Sequence, residues 1–317
     1  MVKTKRFAAI DIGTNTILLL IAELGQNGSF QVLEDQAEIT RLGEGVDRAR
    51  RIGSDGERRS LEVLRAYLER CRNLGVDEIA VVGTSALREA RNTEDLKARL
   101  KRELGLDLRV LSGEEEAAYS YLAVQKGLCL EEKEVLVVDV GGGSTELIWV
   151  KEGGLYRLAS VDLGSVRLTE RFLLSDPVRD DECARLATAI DRALAPIVFN
   201  WGTVTYFHRM VGIAGTFTTL AAVEKGLVHY SHREVHGSCL TRSQVQRQID
   251  LFKSKTIGER REIPGLEPKR ADVILAGALL IDGIMDLFRV DEVVVSDQGI
   301  RYGLLHERLE GGSAHRD

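Results

Sequence analysis

One stretch limits the possible folds more than any other: Val135-Leu-Val-Val-Asp139-Val-Gly141-Gly142-Gly143-Ser144-Thr145-Glu146-Leu-Ile-Trp-Val150. Two segments rich in β-branched residues flank three successive glycines, the pattern of a strand, a tight turn and a second strand. Three glycines leave no Cβ on the turn, so backbone N–H groups can approach a ligand closely and can adopt φ > 0 angles closed to other residues. Such a turn is an anion cradle. Asp139 stands just before the glycines and Glu146 just after Ser144 and Thr145, so a hairpin returns both carboxylates to one mouth. A carboxylate pair beside an anion cradle suits Mg²⁺, a hard cation that takes oxygen ligands and shares its shell with substrate phosphates.

The device occurs twice. Phe7-Ala-Ala-Ile-Asp11-Ile-Gly13-Thr14-Asn15-Thr16, followed by the apolar run Ile17 to Ala22, again sends a strand into an Asp-x-Gly turn with small polar residues and a strand out. A duplicated hairpin of this kind predicts two similar α/β lobes facing each other across a cleft. A length of 317 residues accommodates two such domains. We place the first at 1–125, the second at 126–298, a C-terminal helix near 299–310 packing back on the first, and a disordered tail at 311–317.

Between the hairpins, Leu61, Leu64, Leu68, Cys71 and Leu74 keep helical spacing from Asp55 to the stop at Gly75. Ile79 to Val82 reads as a buried strand, and beyond its end lie Arg88 and Arg91, where α/β folds place ligand contacts. Arginine suits phosphate because its planar fork donates two parallel hydrogen bonds. Asn92 is expected to cap a helix over Glu94 to Leu104, and Asp180 one over Asp180 to Phe199. In Ser112-Gly-Glu114-Glu115-Glu116-Ala117 the first two acids complement a helix dipole. Glu116 is placed to face the cleft and take a proton from an attacking water. Met210 to Ala214 empties into Gly215-Thr216, another strand, glycine turn and helix start that offers N–H groups to an anion. A buried helix is expected over Arg270 to Phe288.

The composition removes whole classes of function. A net charge of −6 argues against a general nucleic-acid-binding surface, so attraction for a polyanion has to come from a local basic patch and a metal. No apolar run reaches the length of a membrane helix and no signal-peptide core precedes Asp11, which predicts a cytoplasmic protein with no membrane partner. Cys71, Cys129, Cys183 and Cys239 have no paired spacing, so we expect buried thiols rather than zinc or disulfides. His229, His232 and His236 lack a Cys or acidic partner at metal spacing and read as loop residues.

Asp11-Ile-Gly13-Thr14-Asn15, Arg41-Leu-Gly43-Glu-Gly45, Ser85-Ala-Leu-Arg88-Glu-Ala-Arg91-Asn92, Ser112-Gly-Glu-Glu-Glu116-Ala117, Asp139-Val-Gly-Gly-Gly-Ser144-Thr145-Glu146, Gly215-Thr216 and Ser296-Asp297-x-Gly299-x-Arg301 follow one another along nearly the whole chain. Together they resemble the exopolyphosphatase and guanosine pentaphosphate phosphatase family, the Ppx/GppA proteins, within the actin, sugar-kinase and Hsp70 superfamily. The resemblance implies two RNase H-like (actin-like ATPase) domains with an interdomain cleft. It implies Mg²⁺-dependent release of terminal phosphate from inorganic polyphosphate, from guanosine pentaphosphate to give the tetraphosphate, or from both, and a possible homodimer. Carried onto this sequence it makes Glu116 the catalytic base and Asp139 and Glu146 the acids at the metal and attacking water. Asp11, Gly13, Thr14, Asn15, Arg88, Gly141, Gly142, Gly143, Ser144, Thr145, Gly215 and Thr216 become phosphate contacts. The His-Asp extension of longer members is missing from this sequence. Two rivals stay open: an ATP-dependent sugar kinase or other ATPase with the same Asp-x-Gly turns, and a non-catalytic sensor of guanosine tetra- or pentaphosphate.

Overall fold

A computed structural model describes residues 5–25, 29–128, 134–202 and 207–313. The chain divides into two compact units, Met1–Lys126 with Gly299–Asp317, and Gly127–Gln298. The first contains β1 (Lys5–Ile12), β2 (Thr16–Leu24), β3 (Phe30–Ile39), α1 (Val46–Ala49), α2 (Ser54–Asn73), β4 (Glu78–Gly83), α3 (Ser85–Glu89), α4 (Thr93–Leu104), β5 (Leu108–Val110) and α5 (Gly113–Gly127). Its strands lie in the order β3-β2-β1-β4-β5. The first three pair antiparallel, while β4 runs parallel to β1 and β5 parallel to β4.

The second unit contains β6 (Glu134–Val140), β7 (Thr145–Lys151), β8 (Gly154–Val161), α6 (Ser165–Phe172), α7 (Asp180–Trp201), β9 (Arg209–Ile213), α8 (Ala214–Glu224), α9 (His232–Val235), β10 (Cys239–Thr241), α10 (Arg242–Lys253), α11 (Ile257–Arg260), α12 (Ile274–Leu287) and β11 (Glu292–Val295). Its order is β10-β11-β9-β6-β7-β8. Reading from β8, this repeats the first sheet strand for strand, with the same antiparallel triplet and the same two parallel additions, and adds β10 at the far edge. The duplication read from two hairpins therefore extends to whole sheets.

Strand alternation decides what each face buries. In β1, Ala8, Ile10 and Ile12 join Leu61, Leu64 and Leu68 of α2 in one core. Phe7 and Ala9 point the other way, toward Tyr119 and Ala123 of α5 and toward Ile300, Leu304 and Leu305 of the last helix, α13 (Ile300–Ser313). Asp11 continues the Phe7 and Ala9 row and so lies on the α5 side. In the second sheet Leu136, Val138, Val140 and Leu147 face α7 and α12, which turns Asp139 and Glu146 to the opposite face.

A buried ion pair fastens α13. Arg301 donates from Nε and Nη2 to the two carboxylate oxygens of Asp35 on β3 at 2.9 and 3.1 Å, and the Tyr302 hydroxyl donates to Asp35 at 2.9 Å. Both charged side chains are buried. Removing one member of such a pair strands the other charge, so Asp35→Ala is expected to cost about 3–5 kcal/mol. A thermal melt or urea titration reads this directly, and an unchanged midpoint would sink the assignment.

Several local expectations are corrected. Asn92 takes the N-cap position of α4 as expected but its side chain does not cap; its amide exchanges hydrogen bonds with the backbone N–H and C=O of Ile52, and a side chain held there cannot also turn onto its own helix. Asp180 is not the cap of α7. The buried Glu182 instead accepts from the Ser175 hydroxyl and from the backbone N–H of Arg179 and Leu174, bonds that, Ser175 first, hold its carboxyl below the usual range. The expected helix from Arg270 splits into a 3₁₀ turn at Pro268–Arg270 and α12 from Ile274. The histidine stretch is not plain loop: it holds α9 and the edge strand β10, whose three residues are too short to show a period. Cys71 is buried and its thiol is pushed up to about 11, but Cys183 is half-buried and Cys239 exposed. Cys129 falls outside the described residues. The helix α13 continues into the expected tail as far as Ser313, and 314–317 fall outside the described residues.

Candidate active site

In the second unit the β6–β7 register sets Asp139 directly opposite Glu146. Opposed residues on antiparallel strands share a face with their Cβ atoms about 4.5–5.5 Å apart. Both are buried, at 9% and 2% exposure. Glu146 is in turn opposite Ser160 on β8, whose hydroxyl donates to it at 2.8 Å. The turn closes by a bond from the Gly141 N–H to the Ser144 carbonyl at 3.0 Å.

The carbonyls of that turn are all drawn to one side. Gly141 accepts from the Ser165 N–H, Gly142 from the Val166 and Arg167 N–H groups, and Gly143 from Nε of the buried Arg167 at 2.8 Å. The N–H groups of Gly142, Gly143 and Ser144 reach no acceptor among the described residues. Three neighbouring amides left in that state form an anion nest. None of the three glycines is among the positive-φ positions, so of the two expectations for them the left-handed backbone is not met. Ser144 is buried. The Thr145 hydroxyl donates to the Leu163 carbonyl at 2.7 Å and the residue is fully buried.

The β1–β2 hairpin repeats this design in the first unit. The Gly13 N–H donates to the Thr16 carbonyl at 3.0 Å, and Asp11 occupies the register position of Asp139, opposite Leu18. Here the carbonyls are collected by the Arg41-Leu-Gly43 segment: Thr14 accepts from Gly43 and Asn15 from Thr40 and Arg41. Both polar atoms of the Asn15 side chain are buried and meet no partner among the described residues, an orphan that a ligand oxygen or water would resolve.

The three adjacent glutamates of α5 separate cleanly. Glu115 makes a reciprocal cap with Ser112, accepting from its N–H at 2.8 Å while Ser112 Oγ accepts from the Glu115 N–H. That backbone bond, then Arg109, holds the Glu115 carboxyl below its ordinary range. Glu114 is exposed. Glu116 alone is turned inward, 4% exposed and bonded to Nη1 of Arg88, which also donates to the Leu111 carbonyl at 2.9 Å. Of the two arginines weighed from sequence, Arg88 is therefore the inward one and Arg91 stands exposed.

At the third turn the helix α8 opens at Ala214, a non-glycine residue in the left-handed region with φ 72°. Strain of this kind costs of order 1–3 kcal/mol and concentrates at working sites. Gly215 follows with the Arg270 guanidinium pressed against it: a Cβ there would lie under 3.0 Å from Nη1, Cζ and Nη2 of that side chain together. Arg270 thus lies across the start of α8, above the buried Thr216. Sequence reasoning missed it, since nothing local links 270 to 215. Asp297 stood in the last motif, but its histidine partners were not read: its carboxylate meets His232 Nδ1 and its N–H donates to His236 Nδ1 at 3.2 Å.

Two copies of one sheet, each led by an Asp-x-Gly hairpin with its amides turned out, define an α/β protein built from two actin-like domains. The chain belongs to the Ppx/GppA phosphatase family, whose model matches residues 20–311. It is similar to Exopolyphosphatase 2 of Mycobacterium tuberculosis, at 32% identity over 94% of this chain and 97% of that protein. It is also similar to a bifunctional 3-dehydroquinate synthase/phosphatase of Fusobacterium nucleatum at 30% identity, where 96% of this chain spans only 46% of the relative. Among solved structures, the Aquifex aeolicus Ppx/GppA family member matches with TM-score 0.81 at 34% identity, over 99% of this chain and 100% of that one. An exopolyphosphatase from Cytophaga hutchinsonii matches with TM-score 0.89 at 28% identity, over 97% and 98%.

Proposed function

We propose that this chain is a Mg²⁺-dependent exopolyphosphatase that releases terminal orthophosphate from inorganic polyphosphate by attack of water, with guanosine pentaphosphate as a second substrate. The observation that carries this is the Asp139 and Glu146 pair, opposed on neighbouring strands beside three amides that reach no described acceptor. Hydrolysis of a phosphoanhydride needs charge offset on the transferring group and a water aligned opposite the leaving phosphate. The amides of Gly142, Gly143 and Ser144 donate to phosphate oxygens, and the guanidinium of Arg88 adds positive charge. Glu116 accepts the proton of the attacking water.

The donor set fits Mg²⁺. Among the described residues no group of three or more metal-binding side chains occurs, and two carboxylates with the rest of the shell left to water and phosphate is how Mg²⁺ is ordinarily held. When bound there, the ion supplies charge neutralisation on the transferring phosphoryl group. Ser160 fixes the Glu146 rotamer that would receive it.

Phosphate release from long-chain polyphosphate and from guanosine pentaphosphate, with and without Mg²⁺, tests this. We expect release from polyphosphate that requires the ion, and a fall of about 10²-fold in Glu146→Gln with a raised Mg²⁺ requirement. Release that ignores divalent ions, or none from either substrate, overturns the proposal. ATP turnover dependent on a sugar would then favour the kinase, and tight alarmone binding without release the sensor.

A further inference from the structure

We infer that Arg260 is a positioning residue, a buried strut that holds Arg270 across the start of α8 and so tunes the affinity of that turn for a phosphate chain. The inference rests on the functional proposal for its ligand but on independent geometry for the strut.

Arg260 closes α11 and is 0% exposed, the largest fully buried side chain among the described residues. Its Nε donates to the carbonyl of Phe252 at 2.6 Å, and its Nη1 to the carbonyl of Ala271 at 3.3 Å. Its Nη2 is buried and meets no acceptor among the described residues. No carboxylate lies within ion-pair distance of it among those residues; Asp176 and Asp272 act on it only from farther off, and burial lowers its pKa from the ordinary value. A buried cation answered mainly by carbonyls is costly, and a well-packed apolar side chain of similar volume is often the more stable choice. If Arg260 served only to fill space, methionine or leucine would do it better.

What it does fasten is specific. Ala271 follows Arg270 directly, and the 3₁₀ turn Pro268–Arg270 ahead of it is held by its own short-range bonds, Arg270 N–H to Glu267 at 2.8 Å and Ala271 N–H to Pro268 at 3.4 Å. The Arg260 bond to Ala271 is therefore a tie from the α10–α11 corner to the segment that carries Arg270. Arg270 in turn covers Gly215, at the end of α8 where the backbone is strained at Ala214 and the N–H groups of a first helical turn stand open to an anion. Loosening the tie lets the Arg270 guanidinium wander off the turn, which weakens ground-state binding of phosphate more than it alters the bond-breaking step.

The test measures KM and kcat on long-chain polyphosphate, affinity for tripolyphosphate by calorimetry, and melting temperature, for Arg260→Met, Arg260→Gln, Arg270→Gln and each double variant. We expect Arg260→Met to raise KM and the tripolyphosphate dissociation constant about tenfold with kcat within about threefold. The double variant with Arg270→Gln should be no weaker than Arg270→Gln alone, since both changes remove one contact. Additive losses, or a lowered melting temperature with unchanged KM, would make Arg260 structural only and overturn the inference. Arg260→Gln keeps one donor and serves where methionine prevents folding. If the unaltered protein neither hydrolyses nor binds polyphosphate, the functional proposal fails by itself. Amide exchange at 268–273 in Arg260→Gln then decides the strut separately: faster exchange supports it and unchanged exchange overturns it.

Discussion

Replacing Glu116 by glutamine is expected to lower phosphate release by roughly 10²- to 10⁴-fold, the usual contribution of a positioned general base. Glutamine keeps the size and an oxygen that still accepts from Arg88, so the packing of α5 survives while the ability to take a proton is lost. The fold has little reason to fail, because Arg88 keeps its bond to the Leu111 carbonyl at 2.9 Å. The neighbouring acids are built-in controls. Glu114→Gln touches an exposed side chain. Glu115→Gln weakens the cap on Ser112, worth about 0.5–2 kcal/mol of helix stability, and leaves the rate within about twofold if Glu116 alone is the base. A steady-state assay at saturating polyphosphate separates the three. Equal losses at 115 and 116, or a Glu116→Gln enzyme within tenfold of the unaltered one, would refute the assignment.

That contrast shows what a sequence of this kind discloses. The hairpins were legible because β-branched runs and glycines act within a few residues: β6, β7, β1 and β2 lie where the pattern put them, and the register delivers Asp139 opposite Glu146 as the turn length required. The first-turn acids Glu114 and Glu115 were legible too, since a cap and a helix dipole are local. What stayed hidden depends on partners far along the chain. Arg270 over Gly215, Arg260 on Ala271, Asp297 between His232 and His236, and Asn92 on Ile52 are all contacts that no period or spacing encodes. Thr145 illustrates a subtler limit. A hydroxyl next to a glycine turn has the right chemistry for phosphate, but the carbonyl of Leu163 claims its proton, and only the course of the chain after β8 could reveal that. The glycine run was legible as a turn, although none of its three glycines takes a positive φ. At Gly141 an added Cβ would come within 3.1 Å of the Ser144 carbonyl oxygen, a closeness set by the turn itself.

Gly164→Ala should disable the nest with a single methyl group, and it lies outside the glycine motif. Gly164 has φ −152°, extended backbone that alanine adopts without strain, so a propensity argument finds nothing wrong with the change. Space does. A Cβ at 164 would lie under 3.0 Å from the carbonyl carbon and oxygen of Gly142 and 2.5 Å from the N of Gly143. These are backbone atoms of the nest, tied by the α6 amides and by Arg167, and they cannot swing aside as a side-chain tip would. The turn has to shift bodily, and a displacement of about 1 Å at a positioning element is enough to cost about 10²-fold in rate. Overpacking of this kind also costs about 1–3 kcal/mol of stability, so a melt must accompany the assay. Gly154→Ala is the matched control: it sits at the opposite end of β8, where an added Cβ meets only the Lys151 carbonyl at an ordinary 3.7 Å. The expected pair of results is a folded Gly164→Ala protein with kcat/KM for polyphosphate down about 10²-fold and Gly154→Ala unchanged. A Gly164→Ala protein with full activity would mean that the amides of Gly142 and Gly143 are not where the phosphate is held.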